Sequence, residues 1–217
     1  MIIAIDGPAA SGKSTVARAL AKRLGLVFLD TGAMYRAVTL AVQARGIDPR
    51  DALACGGVAA ELELAFDDEG RIWIGGVAGE PAIRSAEVTR DVSQVAAHPA
   101  VRAAIVPRQR ALAGCARRGV VAEGRDTTTV VFPRADHKFF LTATSSERAR
   151  RRALETGRPE AVAEIHAELE ARDRHDATRA DSPLLRASDA LEIASDGASP
   201  AAVVERMIAW IDSVERT

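Results

Sequence analysis

Residues 7–14 read Gly7-Pro8-Ala9-Ala10-Ser11-Gly12-Lys13-Ser14 and satisfy the pattern G-x-x-x-x-G-K-[ST] without a mismatch. The pattern has a physical meaning only between a strand and a helix, and both flanks comply. Ile2-Ile3-Ala4-Ile5-Asp6 is a short, β-branched apolar run of the kind buried in a parallel sheet. Beyond Thr15, the residues Val16, Ala17, Leu20, Ala21 and Leu24 fall on one face at helical period, and Gly25 closes the helix. In such a loop the glycines let backbone N–H groups curl round an anion, while the helix N-terminus adds partial positive charge. Lys13 can reach β- and γ-phosphates, and the Ser14 hydroxyl can ligate Mg²⁺. Residues 7–15 are therefore the candidate site for a nucleoside triphosphate.

With 217 residues the chain is long enough for one sizeable α/β core with insertions. Apolar residues at 47% and charged ones at 27% mark an ordinary globular chain. Its 29 Lys+Arg balance 30 Asp+Glu, so overall charge implies no nucleic acid polymer as partner. Any nucleotide contacts must come from local arginine clusters. Cys55 and Cys115 are isolated and show no metal or redox spacing, as expected of reduced thiols in a cytoplasmic protein. The apolar runs are too short to span a bilayer, and a strand that begins at residue 2 argues against a signal peptide. No long apolar heptad demands a partner, so a monomer is expected.

Strand-like runs recur at residues 2–5, 27–29, 120–122, 138–141 and 191–194. Helical patterns separate them at 13–24, 32–45, 97–113, 145–155, 159–175 and 200–214, with Ser145 and Ser199 placed as N-caps. Strands alternating with helices predict a parallel sheet covered on both faces. One stretch breaks the alternation. Leu62 to Phe66 and Arg71 to Gly75 have period-2 apolar positions around Asp67-Asp68-Glu69-Gly70, an antiparallel hairpin in a small inserted unit over residues 62–93. Pro107 falls inside the following helical pattern and is expected to kink it. A second insertion, over residues 148–180, is dense in arginine. Most of its charges suit a solvated helix face, but an arginine-bearing lid that excludes water from a γ-phosphate fits the same pattern. The core then comprises residues 1–61, 94–147 and 181–217.

The phosphate loop does not name the reaction. GTPases carry a D-x-x-G switch and an [NT]-K-x-D base-reading motif; the second is absent, and Asp67 to Gly70 lie in a predicted hairpin turn. A chain of this size favours a small-molecule kinase over an ATP-driven motor. Three segments then carry chemistry. Asp30-Thr31-Gly32-Ala33-Met34-Tyr35-Arg36 follows the second strand, and Val120 to Asp126 ends another strand at the edge where open α/β sheets bind ligands. Arg172, Asp176 and Arg179 share a helical face. Together they offer Arg36, Arg125 and Arg179 to a second phosphate group, a task suited to arginine's planar fork. His98, His137, His166 and His175 show no ligand spacing, and no nucleophile or general base is needed for transfer between phosphates.

The Asp30-to-Arg36 segment resembles the D-[ST]-G-A-[MI]-Y-R motif of bacterial cytidylate kinases. Ile83-Arg84 with Glu87-Val88, then Ser93-Gln94-Val95-Ala96-Ala97, Pro99 and Val101-Arg102, resembles their I-R-x-x-E-V…S-Q-V-A-A-x-P-x-V-R run. Gly124-Arg125-Asp126 with Thr129 to Pro133 resembles G-R-D-x-G-T-V-V-F-P, and Arg172-Asp173 with Asp176, Arg179 and Pro183-Leu184 resembles R-D-x-x-D-x-x-R…P-L. The likeness runs from Met1 nearly to the C-terminus. It implies a five-stranded parallel P-loop kinase core, a monophosphate-binding insert and a short lid, with ATP, Mg²⁺ and CMP or dCMP as reactants and cofactor. By the same resemblance Thr31, Ser93, Arg102 and Asp126 face cytosine. Arg36, Arg125 and Arg179 face the CMP phosphate, Arg172 and Asp176 face the sugar, and Lys13 and Arg125 are catalytic.

Two departures stand out. Thr128 occupies a position where the family usually has Gly, which is expected to hinder close approach of that loop to ligand. Thr31 replaces the commoner Ser and keeps the hydroxyl. Two other readings compete: a P-loop kinase of another small metabolite, and an ATP-binding regulator that uses the nucleotide as a switch. The hairpin insert with Ser93, Arg102 and Asp126 argues against the first, and paired arginine-rich anion sites argue against the second.

Overall fold

The structure is a computed structural model and describes every residue except Asp68 and Thr217, so one residue of the expected hairpin turn lies outside the described residues. Strand β1 (Ile2–Asp6) is buried beyond its first residue, as an all-apolar run in the middle of a sheet must be. It leads through the phosphate loop into α1 (Lys13–Leu24), which buries Val16, Ala17, Leu20 and Ala21. Gly25 ends α1 at φ 65°, a left-handed cap whose N–H donates to the carbonyls of Ala21 and Lys22. Next come β2 (Val27–Asp30), α2 (Thr31–Ala44) and α3 (Ala52–Glu61).

The insert contains β3 (Leu64–Phe66), β4 (Ile72–Ile74) and β5 (Val77–Ala78) in an antiparallel sheet of that order, followed by α4 (Ala86–Ala97) and α5 (Pro99–Cys115). The chain returns through β6 (Val120–Gly124), a π-helical turn (Thr127–Val131) and β7 (His137–Thr142). A helical hairpin, α6 (Ser145–Glu155) and α7 (Val162–Thr178), precedes β8 (Leu191–Ala194) and α8 (Pro200–Glu215).

The main sheet has the order β2-β6-β1-β7-β8 and every pairing in it is parallel. β1 is central, so the phosphate loop leaves the middle of the sheet's carboxyl edge. The register sets Asp30 beside Glu123 and Asp6 beside Gly124, bringing three strand ends together there. One apolar cluster joins the sheet to α1 and α8 through Ile3, Ile5, Leu20, Phe139 and Met207. A second joins α2, α3, α4 and α5 to the hairpin through Met34, Val58, Ile72, Val95 and Ile105. Cys55 and Cys115 are both free thiols.

The structure refines several local expectations. Helix α3, which contains Gly56-Gly57, is not among the expected helices. A Cβ on Gly56 would lie 2.5 Å from the Cβ of Ala100, so glycine lets α3 and α5 touch. The helix expected over 97–113 is α5, begun two residues later, with His98 separating it from α4 and Pro99 in its first turn where the missing N–H costs nothing. Pro107 lies inside α5, which continues to Cys115 and packs against α3 and α4. Thr144, not Ser145, caps α6, and its side chain is also tied to Asp196.

Candidate active site

The residues at the carboxyl edge enclose an open cleft of about 470 Å³. One wall is the phosphate loop, the other is built from α2, α4, α5 and α7. Every residue expected at the acceptor side lines it: Thr31, Arg36, Ser93, Arg102, Arg125, Asp126, Arg172, Asp176 and Arg179. Ala9, Ala10, Ser11, Gly12, Lys13, Ser14 and Thr15 line the other side. Gly7 and Pro8 stand behind the cleft. A Cβ on Gly7 would come 2.1 Å from the Leu141 carbonyl oxygen, so this glycine lets the loop pass close to β7.

At the donor side, Lys13 is buried and its Nζ donates to the Pro8 carbonyl at 2.7 Å. Burial, with the Arg125 guanidinium nearby, lowers its pKa to about 7, against the opposing pull of Glu123 and Asp6. Ser14 Oγ donates to Glu123 Oε1 at 2.6 Å. Burial and the Asp30 charge push the Glu123 carboxyl up, while Lys13 and Ser14 oppose them. Arg151 flanks the loop, bonded through Nη1 and Nη2 to the hydroxyl and carbonyl of Ser195, and Ser195 Oγ donates to the Ser11 carbonyl.

At the acceptor side, Asp30 caps α2 by accepting from Ala33 N at 2.9 Å, and Arg84 holds its other oxygen at 2.7 Å. Thr31 Oγ1 donates to the Glu123 carbonyl at 2.6 Å, which leaves its lone pairs free to accept. Arg36 is fixed by the Ile83 carbonyl and Thr89 Oγ1 at 3.1 and 2.9 Å. Burial together with the charge of Arg172 pushes its pKa down, and burial with Arg125 does the same to Arg172. These cations repel one another in a buried space, an arrangement that favours an anion. Arg125 Nε pairs with Asp176 Oδ2 at 3.1 Å, so Asp176 rather than Asp126 orients this arginine.

Asp126 instead forms a buried ion pair with Arg102, whose guanidinium lies 5.5 Å from the centroid of the Tyr35 ring. Arg102 is only 4% exposed, far from the surface residue that an arginine in a helix would ordinarily be. Arg179 Nη2 approaches Asp126 Oδ1 to 3.8 Å. Arg179 itself lies just beyond the end of α7 in extended backbone, so it reaches the cleft from the chain after the helix and not from the face of Arg172 and Asp176. Arg172 Nε and Arg179 Nη2 are buried without a hydrogen-bond partner.

Several groups escaped the sequence reading as site residues: Asp6, Asp30 and Glu123 at strand ends, Arg84, and the lid pair Arg148 and Asp173. The signal for the first three was a carboxylate closing an apolar run. The other three depend on partners tens of residues away.

Ser14 Oγ and Glu123 Oε1, 2.6 Å apart, offer hard oxygens suited to Mg²⁺, while both Asp30 oxygens are taken by Ala33 N and Arg84. Such a pair suits an ion held by one or two protein groups, with water and phosphate completing its shell.

A phosphate loop on the central strand of a parallel sheet, facing a buried arginine cluster across one cleft, defines a P-loop kinase. The family model for cytidylate kinase matches residues 3–213. The chain is 48% identical over 216 residues to a bifunctional pantoate ligase/cytidylate kinase of Synechococcus sp. (strain CC9605), covering 95% of this chain and 44% of the relative. It is 50% identical over 216 residues to a protein of the same name from Prochlorococcus marinus (strain MIT 9303), with the same coverage of each. The chain thus spans less than half the length of these relatives. It belongs to the cytidylate kinase family. No helix among the described residues is long and apolar enough to cross a membrane.

Proposed function

We propose that the protein transfers the γ-phosphoryl group of ATP to CMP or dCMP, giving ADP and CDP or dCDP. The observation that carries this reading is the pair of unpartnered buried guanidinium nitrogens, Arg172 Nε and Arg179 Nη2, across the cleft from Lys13. A buried donor without a partner costs about 1–3 kcal/mol, more when charged, and an anionic ligand relieves it.

In this reading the loop N–H groups and Lys13 hold the triphosphate, Arg36, Arg125 and Arg179 hold the acceptor phosphate, and Arg172 and Asp176 lie at the sugar. Arg179, whose Nη2 is 3.8 Å from Asp126 Oδ1, joins the phosphate and base ends. The attacking atom is an oxygen of an already ionised phosphate, so positioning and charge neutralisation do the work. Ser14, with Glu123 accepting its proton, would hold Mg²⁺, which when bound neutralises charge on the donor phosphates. Asp126 accepts from the cytosine amino group, while Arg102, Ser93 and Thr31 complete the base pocket. Arg151 and Arg152 reach the cleft from the lid helix and exclude water from the transferring group.

A coupled assay for ADP with CMP, dCMP, UMP and AMP tests the assignment. CMP and dCMP are expected to be the best acceptors. Turnover with none of the four nucleotides, or a preference for AMP, rejects it.

A further inference from the structure

We propose that Asp6 is a positioning residue for the acceptor pocket, holding through Thr127 and Thr128 the backbone that presents Arg125 and Asp126. The proposal rests on the reading above, in which Asp126 contacts the acceptor base.

Asp6 closes β1 and is fully buried. Its Oδ1 accepts from Thr127 N at 2.9 Å and Thr127 Oγ1 at 2.7 Å. Its Oδ2 accepts from Thr128 N at 2.7 Å and Thr128 Oγ1 at 2.6 Å. Each oxygen therefore takes one backbone and one hydroxyl donor. Bonds to an ionised acceptor are about twice as strong as neutral ones, and these four converge on two consecutive residues.

Those residues follow Asp126 directly. The Asp126 carbonyl accepts from Val130 N and Val131 N, which closes the π-helical turn from the other end. Upstream, Gly124 is wedged: a Cβ there would lie 2.5 Å from Thr31 Oγ1 and 2.7 Å from Thr127 Cγ2. The segment from Gly124 to Thr128 is thus pinned on both sides, with Asp126 turned to Arg102 and the two threonines turned to Asp6. Asp6 is also the residue before Gly7, so one carboxylate links the root of the donor loop to the base-reading segment.

This placement explains Thr128. Its side chain does not line the cleft, so the expected hindrance to ligand does not arise. The hydroxyl supplies a clamp bond that glycine at this position could not.

The test compares Asp6→Asn, Thr128→Val and Thr128→Ser with the parent. An asparagine amide offers Thr128 N–H a donor where it needs an acceptor, so the clamp fails on one side. KM for CMP should rise about tenfold in Asp6→Asn, equivalent to one lost charge-assisted bond, and the CMP:UMP ratio of kcat/KM should fall. KM for ATP should rise less than KM for CMP in Asp6→Asn, which also removes a charge that acts on Lys13. Thr128→Val keeps that charge and removes only a hydroxyl; it should show the CMP effect more weakly with KM for ATP changed by less than about twofold, and Thr128→Ser should restore the parent values. Thr128→Val carries the test if Asp6→Asn does not fold. An equal rise of both KM values in Thr128→Val, or loss of kcat with the CMP:UMP ratio kept, overturns the proposal. A parent without CMP kinase activity overturns the functional reading itself, and the positioning role with it.

Discussion

Arg148 and Asp173 form an ion pair that grips one residue of the phosphate loop, Ala9, by the peptide groups on either side of its Cα. Asp173 Oδ1 accepts from Ala9 N at 3.1 Å, and Arg148 Nη1 donates to the Ala9 carbonyl at 3.1 Å while also pairing with Asp173 Oδ2. The two residues belong to α6 and α7, so this helical hairpin is anchored to the backbone of the phosphate loop. A small apolar cluster of Ala9, Ala149, Ala153, Ile165 and Leu169 supports the joint.

Asp173→Ala should therefore strip the Ala9 N–H of its partner and leave Arg148, 6% exposed, without its counter-charge. Loss of a hydrogen bond to a charged group predicts about 1.5–3 kcal/mol of destabilisation, read by urea unfolding. KM for ATP should rise more than KM for CMP. An Arg148→Met, Asp173→Ala double variant should lose less than the sum of the single changes, because the partners pair with each other and hold the same residue. Additive losses would show that the pair is not one unit.

Lys13 predicts a pH effect on nucleotide binding. Its pKa of about 7 in the folded chain lies below the ordinary 10.5, so between these values the folded state holds fewer protons than the unfolded one. This group's contribution to stability consequently rises with pH across that window and is lost below it. A triphosphate beside Lys13 favours the charged form, so ATP binding at pH 8 should take up a proton. Calorimetry in two buffers of different ionisation enthalpy reads it, and Lys13→Met should abolish the difference. A buffer-independent binding enthalpy in the parent at pH 8 contradicts the prediction.

Lys13→Ala tests the same group in turnover. Removing one preorganised electrostatic donor predicts a fall of roughly 10²–10³-fold in kcat. Circular dichroism should be unchanged, since Lys13 Nζ bonds only to groups of its own loop, Pro8 and Ser11. A near-normal kcat would remove Lys13 from the catalytic set.

Arg36→Lys keeps a charge but loses the planar fork, of which Nη1 alone donates to both the Ile83 carbonyl and Thr89 Oγ1. CMP affinity and kcat should both fall, by about tenfold for the loss of one charge-assisted bond, with ATP affinity spared. Titrations of each nucleotide alone check it. A loss confined to ATP would place Arg36 at the donor.

Asp126→Asn tests base selection. A carboxylate accepts from the cytosine amino group and repels the uracil oxygen at the same position. The CMP:UMP ratio of kcat/KM should collapse, mainly through lost CMP activity, by up to about 10⁴-fold if several polar groups are left unpaired. Asp126 pairs with Arg102 while Asp176 orients Arg125, and the UMP control accounts for the approach of Arg179 to Asp126, which acts on either substrate alike. A constant ratio with both rates reduced would assign Asp126 a purely structural role.

The sequence alone determined the elements whose evidence is local. A strand of consecutive apolar residues, a glycine-rich turn and a helix with one apolar face announce the phosphate loop because their periods and caps lie within a few residues of each other. The strands at 191–194 and the helices at 13–24 and 145–155 were legible for the same reason. Tertiary structure decided whatever depends on residues distant in the chain. Helix α3 is not among the expected helices, and the need for Gly56 shows only when Ala100 is placed against it; β5, two exposed residues, exists only by pairing with β4. Motifs brought Arg102, Arg125, Asp126 and Asp176 to notice, but which arginine each carboxylate holds is a matter of separations of 24 and 51 residues. Asp6 ends an apolar run like any strand-terminal acid; only the folded chain brings Thr127 and Thr128 across 121 and 122 residues to meet it. Burial, which lowers the pKa of Lys13, Arg36 and Arg172, is likewise a property of the assembled cleft, because desolvation requires neighbours that no local pattern supplies.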